Sequence, residues 1–198
     1  MYEQAQAEPH SLTSHPSWWS TIDRFGLNST WRMDLDQLAR RPVSDEDANK
    51  GDLSFLVQGG VAQMAVNLLP FFQHLVIKCG EHGAIVVMRL SGDDMTKSGW
   101  NLESRSNPRE RFVLARGDGE MIVLKHYPSL ALDPEAAVNV TGAGDSLVGA
   151  TLAGLVNNPK AFEHPRALDA LIHTAQRAAV MTLHSPLAVS PSLSTLTF

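Results

Sequence analysis

Val138-Asn139-Val140-Thr141-Gly142-Ala143-Gly144-Asp145-Ser146 is the stretch on which the fold turns. Two glycines open a helix that runs from Gly142 to about Val156 and put a carboxylate in its first turn. The body of that helix (Leu147, Val148, Ala150, Leu152, Ala153, Leu155) is apolar or small on every face, which predicts a central position. A second helix, from about His164 to Leu183, carries a small-residue face of Ala167, Leu168, Leu171, Ala175, Ala178, Ala179 and Leu183 suited to close packing. Upstream, Leu75-Val76-Ile77-Lys78 is short, continuous and β-branched, the pattern of a strand buried on both faces. Gly80 and Gly83 bracket a turn into a second strand, Ala84 to Leu90. Phe112 to Ala115 and Met121 to His126 flank Arg116-Gly117-Asp118-Gly119-Glu120, whose Asp-Gly pair signals a hairpin. Helices following short buried strands predict an α/β domain with a largely parallel sheet flanked by helices.

The rest of the chain is less informative. Residues 1 to 60 read as helices joined by polar loops, with start signals at Ser14 to Ser17 before Trp18, Trp19, Ile22 and Phe25, and an amphipathic stretch from Trp31 to Leu38. Pro42 to Asp52 is acidic and turn-rich, an expected exposed loop. Val61 to Phe72 is apolar on nearly every side and is expected to lie under the sheet. Residues 91 to 110 lack periodicity and read as a long surface loop.

Composition narrows the function classes. The 198 residues, 43% hydrophobic and 19% charged, are enough for one sizeable core. Sixteen Lys+Arg against 21 Asp+Glu give a formal charge of -5 with no basic block, so nucleic acid is not the expected partner. The longest apolar run, Val61 to Ile77, is interrupted by Gln63, Asn67, Pro70, Gln73 and His74 and fails the test for a membrane span of roughly 20 apolar residues. The first residues lack the apolar segment of a signal peptide, and a lone Cys79, read as a small buried hydrophobe, fits a reducing cytoplasm. The eight histidines are scattered without ligand spacing, so no metal site of the chain's own is expected.

Each part of the glycine-rich stretch has a chemical use. Gly142 and Gly144 let an anion approach the main chain, and the unpaired N–H groups of a helix start point at it, reinforced by the helix dipole. Such a cradle suits the charge spread over a transferring phosphoryl group, and Asp145 beside it can take the proton from an attacking hydroxyl. The competing structural reading is that Thr141 caps the helix, the glycines serve a tight turn and Asp145 complements the dipole.

Thr141-Gly142-Ala143-Gly144-Asp145 resembles the C-terminal signature of the ribokinase-like (PfkB) sugar and nucleoside kinases, and Asn139-Val140 before it is most similar to the pseudouridine kinase branch. Val76-Ile77-Lys78-Cys79-Gly80-Glu81-His82-Gly83 resembles that family's strand and G-x-x-G turn on the nucleotide side. Ala175 to Ala179, continuing through Leu183-His184-Ser185, resembles its closing helix beside the adenine pocket. The similarity covers most of residues 60 to 192 of a single domain spanning 1 to 198. It implies a ribokinase-like fold, Asp145 as catalytic base, Gly142, Ala143 and Gly144 as the anion hole, and Gly80, Gly83 and Thr141 as nucleotide-binding residues. The implied reaction moves the γ-phosphoryl group of ATP, with Mg²⁺, to a hydroxyl of a sugar or nucleoside, foremost the 5′-hydroxyl of pseudouridine.

The resemblance also has gaps. Many members carry Asp-Thr where this chain has Asn139-Val140, which puts a metal or phosphate role there in question. Members run to roughly 300 residues, so the N-terminal half, with its substrate-binding strands, lid and N-x-x-E motif, is expected to be missing. Asn107-Pro108-Arg109-Glu110 has the N-x-x-E letters in the wrong order along the chain and reads as coincidence. An absent half would leave an apolar strand edge, open to an oligomer contact or a complementing chain. Kinase activity of this chain by itself is accordingly less expected than family membership, and a non-catalytic nucleotide-binding fragment is the alternative. Gly144-Asp145-Ser146-Leu147 also spells the G-D-S-L signature of certain serine esterases, but no later D-x-x-H supplies the rest of a triad. A third fingerprint glycine and a Walker A lysine are both lacking, which weakens Rossmann and P-loop readings.

Overall fold

The computed structural model describes residues 32–40, 54–103, 105–117, 119–132 and 137–197. The start signals at Ser14 to Phe25, the acidic stretch Pro42 to Asp52 and Asp118 lie outside the described residues. The elements in order are α1 (Arg32–Arg40), α2 (Ser54–Val57), α3 (Val61–Leu68), β1 (His74–Lys78), β2 (Ala84–Ser91), α4 (Gly92–Lys97), β3 (Phe112–Gly117), β4 (Glu120–Tyr127), α5 (Ala143–Asn157) and α6 (Pro165–Leu183).

The four strands form one sheet in the order β1-β2-β4-β3, and every pairing is antiparallel. This corrects the expected parallel sheet. Only Cys79 to Gly83 separate β1 from β2, and a parallel crossover needs a dozen or more residues. The continuous apolar runs have another cause: helices cover both faces of the sheet. Ile85 and Val87 of β2 face a core shared with Leu35, Leu38, Leu56, Ala62 and Ala65 of α1 to α3. Val86, Met88 and Leu90, alternating with them, face Trp100, Phe162, Leu168 and Ile172. A third cluster joins Leu147 and Ala150 of α5 to Ala175 and Ala178 of α6, where the small-residue face lets the two helices approach.

β1 is not buried on both faces. It is an edge strand whose Leu75, Val76 and Ile77 are only half-buried, because β2 pairs with one side alone. α3 buries Ala62, Ala65 and Val66 but leaves Met64 and Leu68 exposed, with Phe71 and Phe72 just beyond it. α5 is likewise one-sided rather than central: Val148, Leu152 and Val156 are exposed.

Residues 91–110 are not a featureless surface loop. They hold α4 and short 3₁₀ turns at Gly99–Leu102 and Pro108–Glu110. Trp100 is fully buried, donates from Nε1 to the Phe162 carbonyl (2.9 Å), and meets Phe112 edge-on at 5.5 Å. Asn107 accepts from the amides of Arg109 (3.1 Å) and Glu110 (3.4 Å), so the N-x-x-E letters serve a turn. Trp100→Ala should lower unfolding free energy by about 3–5 kcal/mol, read from denaturant titration, since it empties a large site in the core. An unchanged midpoint would show that the segment does not hold the sheet.

Candidate functional site

A cleft of about 880 Å³ opens where the chain leaves β1 and β4 and where α5 begins. Lys78, the Gly80 to Gly83 turn, Ser129, Leu130, Leu132, Ala137 and Val140 form one side, and Ala143, Gly144 and Leu147 the next. Gln176, Ala179, Val180 and Leu183 of α6 close it. Apolar walls with a few polar groups are what a nucleotide-sized ligand needs.

The turn after β1 is held from behind. Gly83 has φ 86° and ψ −127°, and a Cβ built there would overlap the Tyr127 carbonyl, so only glycine lets the turn press on the exit of β4. The His82 carbonyl accepts from His126 Nε2 at 2.6 Å. His126 Nδ1 faces the Arg111 guanidinium at 3.0 Å; arginine can only donate, so the ring proton sits on Nε2. The His82 ring stacks on Phe55 at 4.5 Å. Gln176, buried on α6, donates to the Pro128 (2.8 Å) and Tyr127 (3.3 Å) carbonyls and ties that helix to the same corner. Cys79 is half-buried beside the turn, its thiol on the Ile77 carbonyl and its pKa pushed up by burial, so it remains a thiol.

At the other side, Gly142 is the N-cap of α5 with φ 83°, and no side chain caps the helix. Thr141 is exposed and does not cap; its amide is taken by Asn139 Oδ1 at 2.9 Å. The helical ladder starts with Ser146 N donating to the Gly142 carbonyl (2.8 Å), which leaves the amides of Ala143, Gly144 and Asp145 ahead of it. Gly142 is pressed against the Ala188 backbone, whereas Gly144 lies under the Lys78 side chain: a Cβ there would stand 2.5 Å from Nζ.

The cleft therefore brings together Gly80, Gly83, Ala143 and Gly144, drawn from two stretches sixty residues apart in sequence. Gly142 stands behind it, and Asp145, one residue beyond Gly144, is exposed and outside the lining. Asp145 makes no hydrogen bond or ion pair with the described residues. Ser146 is buried, and its hydroxyl pairs with the Thr182 hydroxyl at 2.7 Å rather than with a histidine, which removes the esterase reading of the G-D-S-L letters. Sequence reasoning missed Lys78 and Gln176. The signal for Gln176 was an amide on an otherwise apolar helix face; the signal for Lys78 was a cation ending an apolar strand.

No family profile matches the chain. It aligns over 182 residues, at 26% identity, with a pseudouridine-metabolizing bifunctional protein of Schizosaccharomyces pombe. The alignment takes in 91% of this chain and 20% of the yeast protein, so the chain spans about a fifth of that relative's length. Among the described residues, no helix is long and apolar enough to cross a membrane.

Proposed function

We propose that the chain carries the nucleotide side of a ribokinase-like phosphotransferase that moves the ATP γ-phosphoryl group to a sugar or nucleoside hydroxyl, foremost the 5′-hydroxyl of pseudouridine. One observation supports this above the others: the Gly80–Gly83 turn and the uncapped start of α5 converge on one cleft large enough for a nucleotide. The adenosine moiety occupies the apolar part beside Ala179, Val180 and Leu183, and the phosphates approach the Ala143 and Gly144 amides. The similarity to a pseudouridine-metabolizing protein supports the choice of acceptor.

In the reaction, the acceptor oxygen bonds to the γ-phosphorus as the bond from that phosphorus to the β–γ bridging oxygen breaks, releasing ADP. Asp145 accepts the hydroxyl proton, and the helix-start amides hold the equatorial phosphoryl oxygens. No group of three His, Cys, Asp or Glu residues able to hold a metal exists among the described residues, and Asn139 is uncharged. Mg²⁺, if carried on the nucleotide phosphates, would supply charge neutralisation there.

The second reading is a nucleotide-binding fragment without turnover. It is favoured by the exposure of Asp145 outside the cleft lining. Equilibrium binding of a non-hydrolysable ATP analogue, followed by a phosphorylation assay with pseudouridine, separates the two. Binding with turnover supports the kinase, and binding alone supports the fragment. Absence of binding would overturn both.

A further inference from the structure

The two edges of the sheet are finished differently. In β3 the outward main-chain groups are met by the segment before it: Asn107 pairs with Phe112, and the Leu114 amide donates to Ser106 Oγ at 2.9 Å. The Arg116 guanidinium fastens the same segment through the Trp100 (3.2 Å) and Glu103 (2.7 Å) carbonyls. In β1 the Cys79 amide donates to the Gly83 carbonyl and the Arg89 amide to that of Gln73, which fixes the alternation. Leu75 and Ile77 therefore bond inward to β2, and His74, Val76 and Lys78 turn their N–H and C=O groups outward. No described residue bonds to those outward groups. Apolar side chains flank this open edge on both faces of the sheet. On one face α3 leaves Met64 and Leu68 uncovered, and Phe71, 79% exposed, and Phe72 lead from it into β1. On the other, Leu147 and Ala150 of α5 pack on α6 while Leu155 turns toward the sheet. At 3.6 residues per turn, Val148, Leu152 and Val156 then fall beside Leu155 and away from α6, over the rim of β1. From Ser146 to Asn157 α5 has no charged residue, whereas α6 shows Arg166, His173 and Arg177 to solvent. A helix without a polar face belongs in an interior.

We propose that a second copy of this chain covers this edge, β1 pairing antiparallel with the β1 of its partner about a two-fold axis normal to the sheet and centred on Val76. Symmetry and charge select this occupant. The axis keeps both copies of α5 on one face and both copies of α3 on the other, so each apolar surface meets its own kind. Val76 opposes the partner's Val76 and His74 opposes the partner's Lys78, so the two lysines stand at opposite ends of the seam. Gly149, with open space where a side chain would be, gives the two α5 helices room to approach. The uncovered side chains amount to on the order of several hundred Å² of apolar surface, approaching the roughly 800 Å² that each partner gives a stable pair, before the β1 backbone is counted. Because the β3 edge is already met, pairing closes at two copies instead of running on as a fibre.

Sedimentation velocity on the full 198-residue chain tests the pairing, for the unaltered protein, Val76→Pro and Leu152→Glu. Proline at position 76 removes an amide that points away from β2, so the ladder within one copy stays whole. Glutamate at position 152 replaces an exposed side chain and places a carboxylate opposite its own copy in an apolar seam. Thermal unfolding checks that both variants fold, and if Val76→Pro does not, Leu152→Glu decides. The unaltered chain should sediment as a dimer of 21.6 kDa subunits at about 10 µM, and each variant should weaken the dimer by about tenfold or more. A monomer persisting to about 100 µM would overturn the proposal and leave the edge to a different polypeptide. A dimer unmoved by the folded variants would overturn it too, as would a series of species that continues past two copies.

Discussion

Gly142→Ala is expected to destabilise the chain by about 3 kcal/mol or more, and to do so through the backbone alone. An L-residue at φ 83° costs roughly 1–2 kcal/mol before any contact is counted. The added methyl would also overlap the Ala188 carbonyl oxygen, a main-chain atom that cannot swing aside as a side-chain tip can. Either the start of α5 or the segment after α6 must shift, and the shift propagates into the Ser146–Thr182 contact between the helices. Gly144→Ala is the control. Its methyl meets only the flexible end of Lys78, so its unfolding midpoint should stay within about 1 kcal/mol of the parent. Denaturant titration of the two variants reads the difference directly. Equal midpoints would mean that the Gly142 contact does not constrain the corner.

Asp145→Asn should lower phosphoryl transfer by about 10²- to 10⁴-fold, the range a positioned general base supplies. ATP affinity and the unfolding midpoint should barely change, because Asp145 is exposed and bonded to none of the described residues. Asparagine keeps the shape and removes the proton acceptor, so the loss belongs to chemistry rather than to folding. The assay is radiolabelled phosphoryl transfer to pseudouridine under saturating ATP. Turnover at the parent rate would remove Asp145 from the reaction and leave the cleft as a binding site only.

The sequence was most legible where a residue type has one structural use. Gly83 and Gly142 were readable as turn and helix-start positions because glycine is what a positive φ demands, and both have one. The span of α6 followed from its spacing of small residues, and the β3–β4 hairpin from its Gly-Asp-Gly core. Sheet direction was misread because an apolar run reports burial and not orientation: Val86, Val87 and Met88 are enclosed by helices on both faces of an antiparallel sheet. The deciding clue was the length of the Cys79 to Gly83 connection, which permits only a hairpin. Trp100 was hidden in a polar stretch because one aromatic among charged neighbours leaves no period to detect, yet it fills the core beneath α6. Lys78 escaped notice for a different reason. Its importance lies in what it lies across, Gly144, and no local pattern carries a contact of sixty-six residues' separation.

β1 joins two facts that were described separately: it ends in Lys78, and it hangs from the sheet by a single neighbour. A rim ribbon opens more readily than the strands inboard of it. The Lys78 side chain thus owes its place over Gly144 to a strand at the rim, so whatever loosens that border also displaces the contact with the start of α5.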